Sequence, residues 1–352
     1  MDRPRRLGPL LLGLLVTLAG CQGPAAPAAP TAPAASPAPG TPAAAGATQV
    51  PARVTVNLGI VAPSALLWPL YVTEDAGFAD RAGVDIETTI TNSASDGMNA
   101  MLGGSLDVNA LGADAVILAQ AHGADVIGVA GLTNRPPYSL LVQPEITQVE
   151  DLRGKTLGAS SLKTGEVVFL RALLQRYGLG EGDYDVVVAG GSRTRVSAML
   201  THQVDGTLMP PPDSYRLEDA GMRRLAETTE ALPDYQFQLL VTTRQWAQAH
   251  APTLERFLGA YTQAIAWLYD PANRDQATSI LQNRMQLSED YAQRTYAQWI
   301  EQEQPFARGG EPTMPGLKAT EDLLLSSGEA TAPLPAQDRY LDLHYLEAAT
   351  RQ

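Results

Sequence analysis

The chain of 352 residues reads as an α/β protein of two similar lobes, each built on a parallel-rich sheet. Three observations predict this. Strands alternate with helices, the signature of βαβ units and parallel pairing. A pattern recurs about 98 residues further on, at Ala100–Asp107 and again at Ala198–Asp205. A late strand, Gln238–Thr242, reads as returning to the first half of the chain. Hydrophobic residues make up 45% and charged residues 18%, a composition that supports a folded core rather than whole-chain disorder.

In chain order the first feature is an address. Arg3, Arg5 and Arg6 precede a short apolar run, Leu7–Thr17, which is too short to span a bilayer comfortably. Leu18-Ala19-Gly20-Cys21 follows, and Cys21 is the only cysteine. This resembles a bacterial lipoprotein signal, in which the cysteine becomes lipidated and N-terminal after cleavage. An ordinary cleaved signal is the alternative. Residues 22–50 hold 12 Ala and 7 Pro among 29 residues and no charge, so residues 21–52 read as a lipidated cysteine and an extended linker. The folded body then begins at Arg53.

The first copy opens with a strand, Val54–Val61. A small polar loop, Pro63-Ser64-Ala65, leads to a helix that ends near Gly77-Phe78. Val84–Ile90 is a strand, Thr91–Gly97 a loop and Met98–Leu102 a helix. A strand follows Asp107, then a helix at Ala113–His122 and a strand at Val126–Ala130. The second copy repeats this order. It runs strand Thr156–Ala159, loop Ser160–Gly165, helix Glu166–Tyr177, strand Asp185–Ala189, loop Gly190–Arg193 and helix Arg195–Thr201. Strand Asp205–Met209 and turn Pro210–Asp213 complete it. Gly123 and Gly221, also 98 apart, end the helices that follow.

Two segments can join the lobes: Gly131–Tyr138, where Pro136-Pro137 forces extension, and Leu232–Phe237. These bounds assign 53–134 plus 239–352 to one lobe and 135–238 to the other. The remaining helices are Thr243–His250, Thr253–Tyr269, Arg274–Arg284, Ser288–Gln302 and Leu317–Ser326. Leu254, Phe257, Leu258, Tyr261, Ile265 and Leu268 recur at helical spacing and are expected in the core.

Charge and composition exclude several functions. The net charge of −13, from 25 Lys+Arg against 38 Asp+Glu, disfavours nucleic-acid binding, which needs a basic stripe. One cysteine rules out an intrachain disulfide. The four histidines, His122, His202, His250 and His344, lack metal-binding spacing, so neither metal nor cofactor is expected.

In α/β sheets ligands bind beyond the carboxyl ends of the strands, where loops meet helix N-termini. That places candidate ligand residues at Ser64, Ala65 and Trp68, at Ser95, and at Ala113 and Asp114 in one lobe. Thr133 and Arg135 belong to the crossover. Ser160, Ser161, Lys163, Thr164, Gly165, Arg193, Met209, Pro210 and Asp213 belong to the other lobe. Each Ser, Thr or Asp could instead simply cap a helix; Ser95 and Asp114 are read both ways. Trp68 suits stacking on a flat ligand or a lobe interface. Lys163, with Arg135 or Arg193, could make a basic spot that selects a small anion, although Glu166 opposes one.

Ala100–Asp107 (AMLGGSLD), Leu152–Gly158 (LRGKTLG), Ser160–Glu166, Phe169–Leu179 (FLRALLQRYGL) and Ala198–Asp205 (AMLTHQVD), in that order, resemble the substrate-binding proteins of ABC importers. More narrowly they resemble the nitrate/sulfonate/taurine and thiamine-precursor group, over about 55–270. The resemblance implies a type II periplasmic-binding-protein fold with a two-segment hinge and extra C-terminal helices on the first lobe. It also implies capture of a small molecule, a permease partner, a monomer and no catalysis. Two departures fall at the ligand site: Met209-Pro210-Pro211-Pro212-Asp213 replaces a Trp-Glu-Pro-like turn, and Ser160–Gly165 replaces Gly-Ser-Thr-Gly. Ligand identity therefore does not carry over. A ligand sensor for a membrane partner and an enzyme of the thiamine-precursor type are the alternatives. Penicillin-binding chemistry fails because Lys163 would have to serve both S-x-x-K and K-T-G.

Overall fold

The computed structural model describes residues 52–91, 93–160, 162 and 166–351. Cys21, the Ala/Pro linker, Ser161, Lys163, Thr164 and Gly165 lie outside the described residues. Strand β1 (Val54–Ile60) runs parallel to β2 (Val84–Ile90), with Val54 opposite Val84 and Ile60 opposite Ile90. It also pairs with β3 (Val108–Gly112). β1 buries Val56, Leu58 and Ile60 almost completely. The second lobe repeats the arrangement. There β6 (Thr156–Ala159) is parallel to both β7 (Asp185–Val188) and β8 (Gly206–Met209).

Each sheet is completed by antiparallel strands. β10 (Gln238–Thr243) inserts between β3 and β4 (Val126–Thr133), giving the order β2-β1-β3-β10-β4. β5 (Ser139–Val142) inserts between β8 and β9 (Arg223–Glu227), giving β7-β6-β8-β5-β9. The two sheets thus share one topology. In each, the antiparallel insert is the strand that has just crossed from the other lobe. β10 was expected to rejoin the first lobe; β5 and β9 were not foreseen. Their four or five residues show no decisive period and become strands only against β8 and each other.

The repeat has a structural cause. Asp107 accepts hydrogen bonds from the backbone N–H of Asn57 (2.8 Å) and from its side-chain amide (2.8 Å). Asp205 accepts from the N–H of Thr156 at 2.7 Å. In each lobe the same carboxylate clips the third strand to the first. The turn before it is also shared: Ser105 N–H donates to Ala100 O, and Gln203 N–H to Ala198 O, both at 2.9 Å.

Helices α1 (Trp68–Asp75), α2 (Phe78–Arg81), α3 (Ala94–Leu102) and α4 (Ala113–Ala121) belong to the first lobe. Helices α5 (Glu166–Arg176), α6 (Ser192–Leu200), α7 (Asp213–Asp219) and α8 (Thr228–Ala231) belong to the second. α3 starts four residues earlier than the apolar pattern suggests, because the Ser93 hydroxyl caps it by accepting the Asp96 N–H at 3.0 Å. α9 (Arg244–Ala249), α10 (Ala251–Leu268), α11 (Arg274–Met285) and α12 (Glu289–Thr295) follow β10, and α12 continues as π-helix through Tyr296–Glu303. All six apolar positions expected on α10 are fully buried.

The chain crosses between the sheets at residues 134–138 and 228–237. The crossovers are stitched together: Phe237 N–H donates to Thr133 O at 3.0 Å, and the buried Gln236 amide donates to Asn134 Oδ1 at 3.0 Å. α13 (Met314–Ser326) lies over this junction. Its Leu317 and Leu324 pack in the first-lobe core, and its Ala319 and Leu323 pack against the second. α14 (Gln337–Tyr340) and α15 (His344–Thr350) close the first lobe. Among the described residues no helix is long and apolar enough to cross a membrane.

Candidate functional site

The first-lobe strand ends bring two predicted residues, Ser95 and Asp114, to a seam beside the crossovers. On the first-lobe side a cavity of about 540 Å³ lies between α3 and α4. Ser95, Met98 and Asn99 line one wall, Asp114 and Leu118 the other, with Phe237 and Glu329 at the back. It narrows to a neck where Asp114, Phe237 and Glu329 meet Phe169 of α5, Tyr235 and Leu323. Beyond the neck a second cavity of about 460 Å³ runs between α5 and α13. First-lobe residues and Phe237 line the first cavity, and α5 of the second lobe enters at the neck and lines the second cavity. Phe169 stacks edge-on against Tyr235 and Phe237, with centroids 5.0 and 5.4 Å apart.

Asp114 and Glu329 are the charged groups of that seam's first-lobe wall. Asp114 accepts the N–H of Ala115 at 2.9 Å. Burial pushes its pKa up, and backbone hydrogen bonds oppose this in part. Burial also raises Glu329, and the neighbouring Asp114 raises it further while Arg171 opposes. One Glu329 oxygen is enclosed and lacks a hydrogen-bond partner.

The second lobe contributes a different arrangement at the end of β6. Glu166 accepts the Ser160 N–H at 2.7 Å and its hydroxyl at 2.8 Å. Arg195, only 3% exposed, pairs with the same carboxylate at 2.9 Å and also donates to Gly190 O at 2.7 Å. The pair is internally neutral and ties the β6 loop to α6. Burial raises the Tyr138 phenol; Glu166 adds to this and Arg195 opposes it.

A polar clasp also ties α7 of the second lobe to α12 and the π-helix of the first. Tyr215 of α7 donates to Gln298 at 2.7 Å, and Arg294 reaches Glu218 and Asp219 at 2.9 Å each. Glu227 accepts the Ser139 hydroxyl at 3.0 Å and pairs with Arg224 at 2.9 Å. Burial pushes Glu227 up to about 7, with Arg224 opposing and Glu303 adding.

The structure separates the predicted residues into groups. Ser95 and Asp114 line the cavity. Ser95 is not the α3 cap, since Ser93 takes that role. Ser160 is exposed at its strand end, and Arg193 is exposed on α6. Ser64 caps its own turn by accepting the Leu66 N–H at 3.2 Å. Arg135 donates to Glu303 O at 3.3 Å. Asp213 pairs with Arg216 at 2.8 Å, and Pro210 is half-buried beside it.

Five residues leave the ligand set. Trp68 is a core residue: it is fully buried, donates to Ala277 O at 3.1 Å and meets Tyr296 edge-on. Ala65 and Ala113 are fully buried. Thr133 is fully buried, its hydroxyl 3.4 Å from Leu66 O. Met209 packs in a second-lobe core. In each case packing from other segments, earlier or later in the chain, covers the side chain. Sequence reasoning missed Tyr235, Phe237 and Glu329 as walls, because they converge only through the hinge and the C-terminal loop.

With this geometry in view the relatives become informative. A family model described as NMT1/THI5 like matches residues 66–274, more than half of the chain. The chain belongs to the NMT1/THI5-like family. A Brucella abortus protein whose name describes it as a candidate binding protein is 24% identical over 300 residues, covering 82% of this chain and 90% of the relative. Among solved structures, the alkanesulfonate-binding protein SsuA from Xanthomonas axonopodis superposes with a TM-score of 0.65 at 21% identity, covering 83% of this chain and 99% of the other. The nitrate-binding protein NrtA from Synechocystis gives 0.72 at 13% identity, covering 85% and 89%. These structural likenesses establish that this NMT1/THI5-like chain has the two-lobed periplasmic-binding-protein fold.

Proposed function

We propose that this protein is the extracytoplasmic substrate-binding component of an ABC importer, held to a membrane by lipid on Cys21. It captures a small organic molecule between its lobes and delivers it to a permease. The observation that carries this is a pair of sheets of identical topology joined by two crossover segments, with a cavity of ligand size at the first-lobe strand ends beside the crossover residue Phe237. The family membership, the importer components among the fold neighbours and the lipoprotein-like signal support the same reading.

Binding works by population shift. Ligand contacts to both lobes favour the closed form, and the closed form docks on the permease. The site is read as non-catalytic. The Ser160 hydroxyl donates to Glu166, a carboxylate already engaged by Arg195 in a structural ion pair. Ser160→Ala is expected to leave ligand capture intact.

The test is thermal denaturation of the mature protein against small sulfonates, carboxylates, amines and pyrimidines, with small-angle scattering of each hit. A ligand at a hundredfold excess over its Kd stabilises by about 2.7 kcal/mol and shrinks the radius of gyration. Turnover of the bound compound, or stabilisation without lobe closure, contradicts the reading.

A further inference from the structure

The cavity between α3 and α4 carries a chemical signature that its volume alone does not. Met98, Leu118 and Phe237 make it apolar, yet Asp114 and Glu329 both face it. Among the described residues neither acid forms a salt bridge. Asp114 receives only backbone N–H, and one Glu329 oxygen is enclosed with no donor at all. Two carboxylates near each other in an apolar wall, without a counter-ion, are unfavourable to the empty protein.

Among the described residues, three arginines around the seam are committed elsewhere. Arg195 is held by Glu166, and Arg224 lies between Glu218 and Glu227. Arg171, the cation that acts on Glu329, has Glu181 at 3.6 Å. An anion entering this cavity would meet two bare carboxylates. A cation would meet two acceptors and the ring of Phe237, with Tyr235 just beyond at the neck. The net charge of −13 attracts the same class of molecule from a distance.

We propose that the ligand of this cavity is an organic cation, a protonated amine or quaternary ammonium carried on an apolar or aromatic body. The cationic centre sits between Asp114 and Glu329, and the body lies against Met98, Leu118 and Phe237. The inference rests on reading the seam as the ligand site, and it adds the charge of the ligand. It differs from the anion expected from Lys163, which lies outside the described residues. Since burial raises both acids, cation affinity falls on acidification at a higher pH than ordinary carboxylates would give.

The experiment uses benzylamine and benzyltrimethylammonium as cations, benzenesulfonate as the anion and benzyl alcohol as the neutral control, each at millimolar concentration and mildly alkaline pH. Calorimetry and thermal melting read binding, and small-angle scattering reads closure. The cations are expected to bind and close the protein. Asp114→Asn and Glu329→Gln are each expected to weaken them about tenfold or more. Both variants keep side-chain shape and are expected to melt no lower than the parent when empty, which separates loss of binding from loss of fold. Absence of cation binding, or cation binding unchanged by both substitutions, overturns the proposal. If benzenesulfonate or benzyl alcohol then closes the lobes, the binding reading survives and only the ligand charge is wrong. If none of the four alters melting or closure, the binding reading loses its support as well.

Discussion

Asp107 and Asp205 show how single residues encode the duplicated scaffold. Each carboxylate accepts a backbone N–H of the neighbouring first strand, a charge-assisted bond worth more than a neutral one. Asp205→Ala leaves the Thr156 N–H without that acceptor and is expected to cost about 2 kcal/mol in urea unfolding, with ligand affinity unchanged. A cost below a few tenths of a kcal/mol would show that water replaces the carboxylate. Trp68 makes the opposite point. A tryptophan after a polar loop looks available for stacking, but its indole is fully buried beside Tyr296. Trp68→Ala should destabilise the fold by about 3–5 kcal/mol through cavity formation. Loss of binding at full stability would return it to the site.

At the scale of elements, the loop after β6 is positioned by α6. Arg195 is 3% exposed and Glu166 11% exposed, so neither side chain can be freed cheaply. Glu166→Ala strands the guanidinium and is expected to cost about 3–5 kcal/mol, whereas Glu166→Leu with Arg195→Met should cost far less. Equal losses in the single and double variants would mean that the pair does not behave as a unit. α3 is placed by a close approach: a Cβ on Gly97 would lie 2.5 Å from the Asn109 amide nitrogen. Asn109 is fully buried, so it has little room to give. Gly97→Ala is therefore expected to lift the α3 start, with a stability loss of about 1–3 kcal/mol read by chemical denaturation. Because Ser95 and Met98 line the cavity from this helix, ligand affinity should fall with it.

For the whole molecule, the buried carboxylate beside the polar clasp links stability to pH. Burial lifts Glu227 from 4.5 to about 7. Between those values the native state holds a proton that the unfolded chain has released, so this group's contribution is lost as pH rises through the window. The sign predicts higher stability at about pH 5 than at about pH 8, by as much as about 3 kcal/mol from this residue. Glu227→Gln should flatten that part of the profile while Glu303 keeps its own share. An unchanged slope in urea midpoints would remove Glu227 as the cause.

How much of this was legible depends on the range of the interaction responsible. The alternation of strands and helices, the core face of α10 and the repeated turn-and-carboxylate motif are local patterns, and short-range physics writes them directly into the sequence. The bridging strands β5 and β9 are not local: SLLV and RRLAE become strands because partners from elsewhere in the chain supply hydrogen bonds. The site divides in the same way. Ser95 and Asp114 line the cavity from positions that strand ends make predictable. Phe237 and Glu329 join them only after the hinge and the C-terminal loop have folded back, over more than a hundred residues. Tertiary structure alone decided which polar loops stayed open and which were packed over, since burial depends on what the rest of the chain brings to each face.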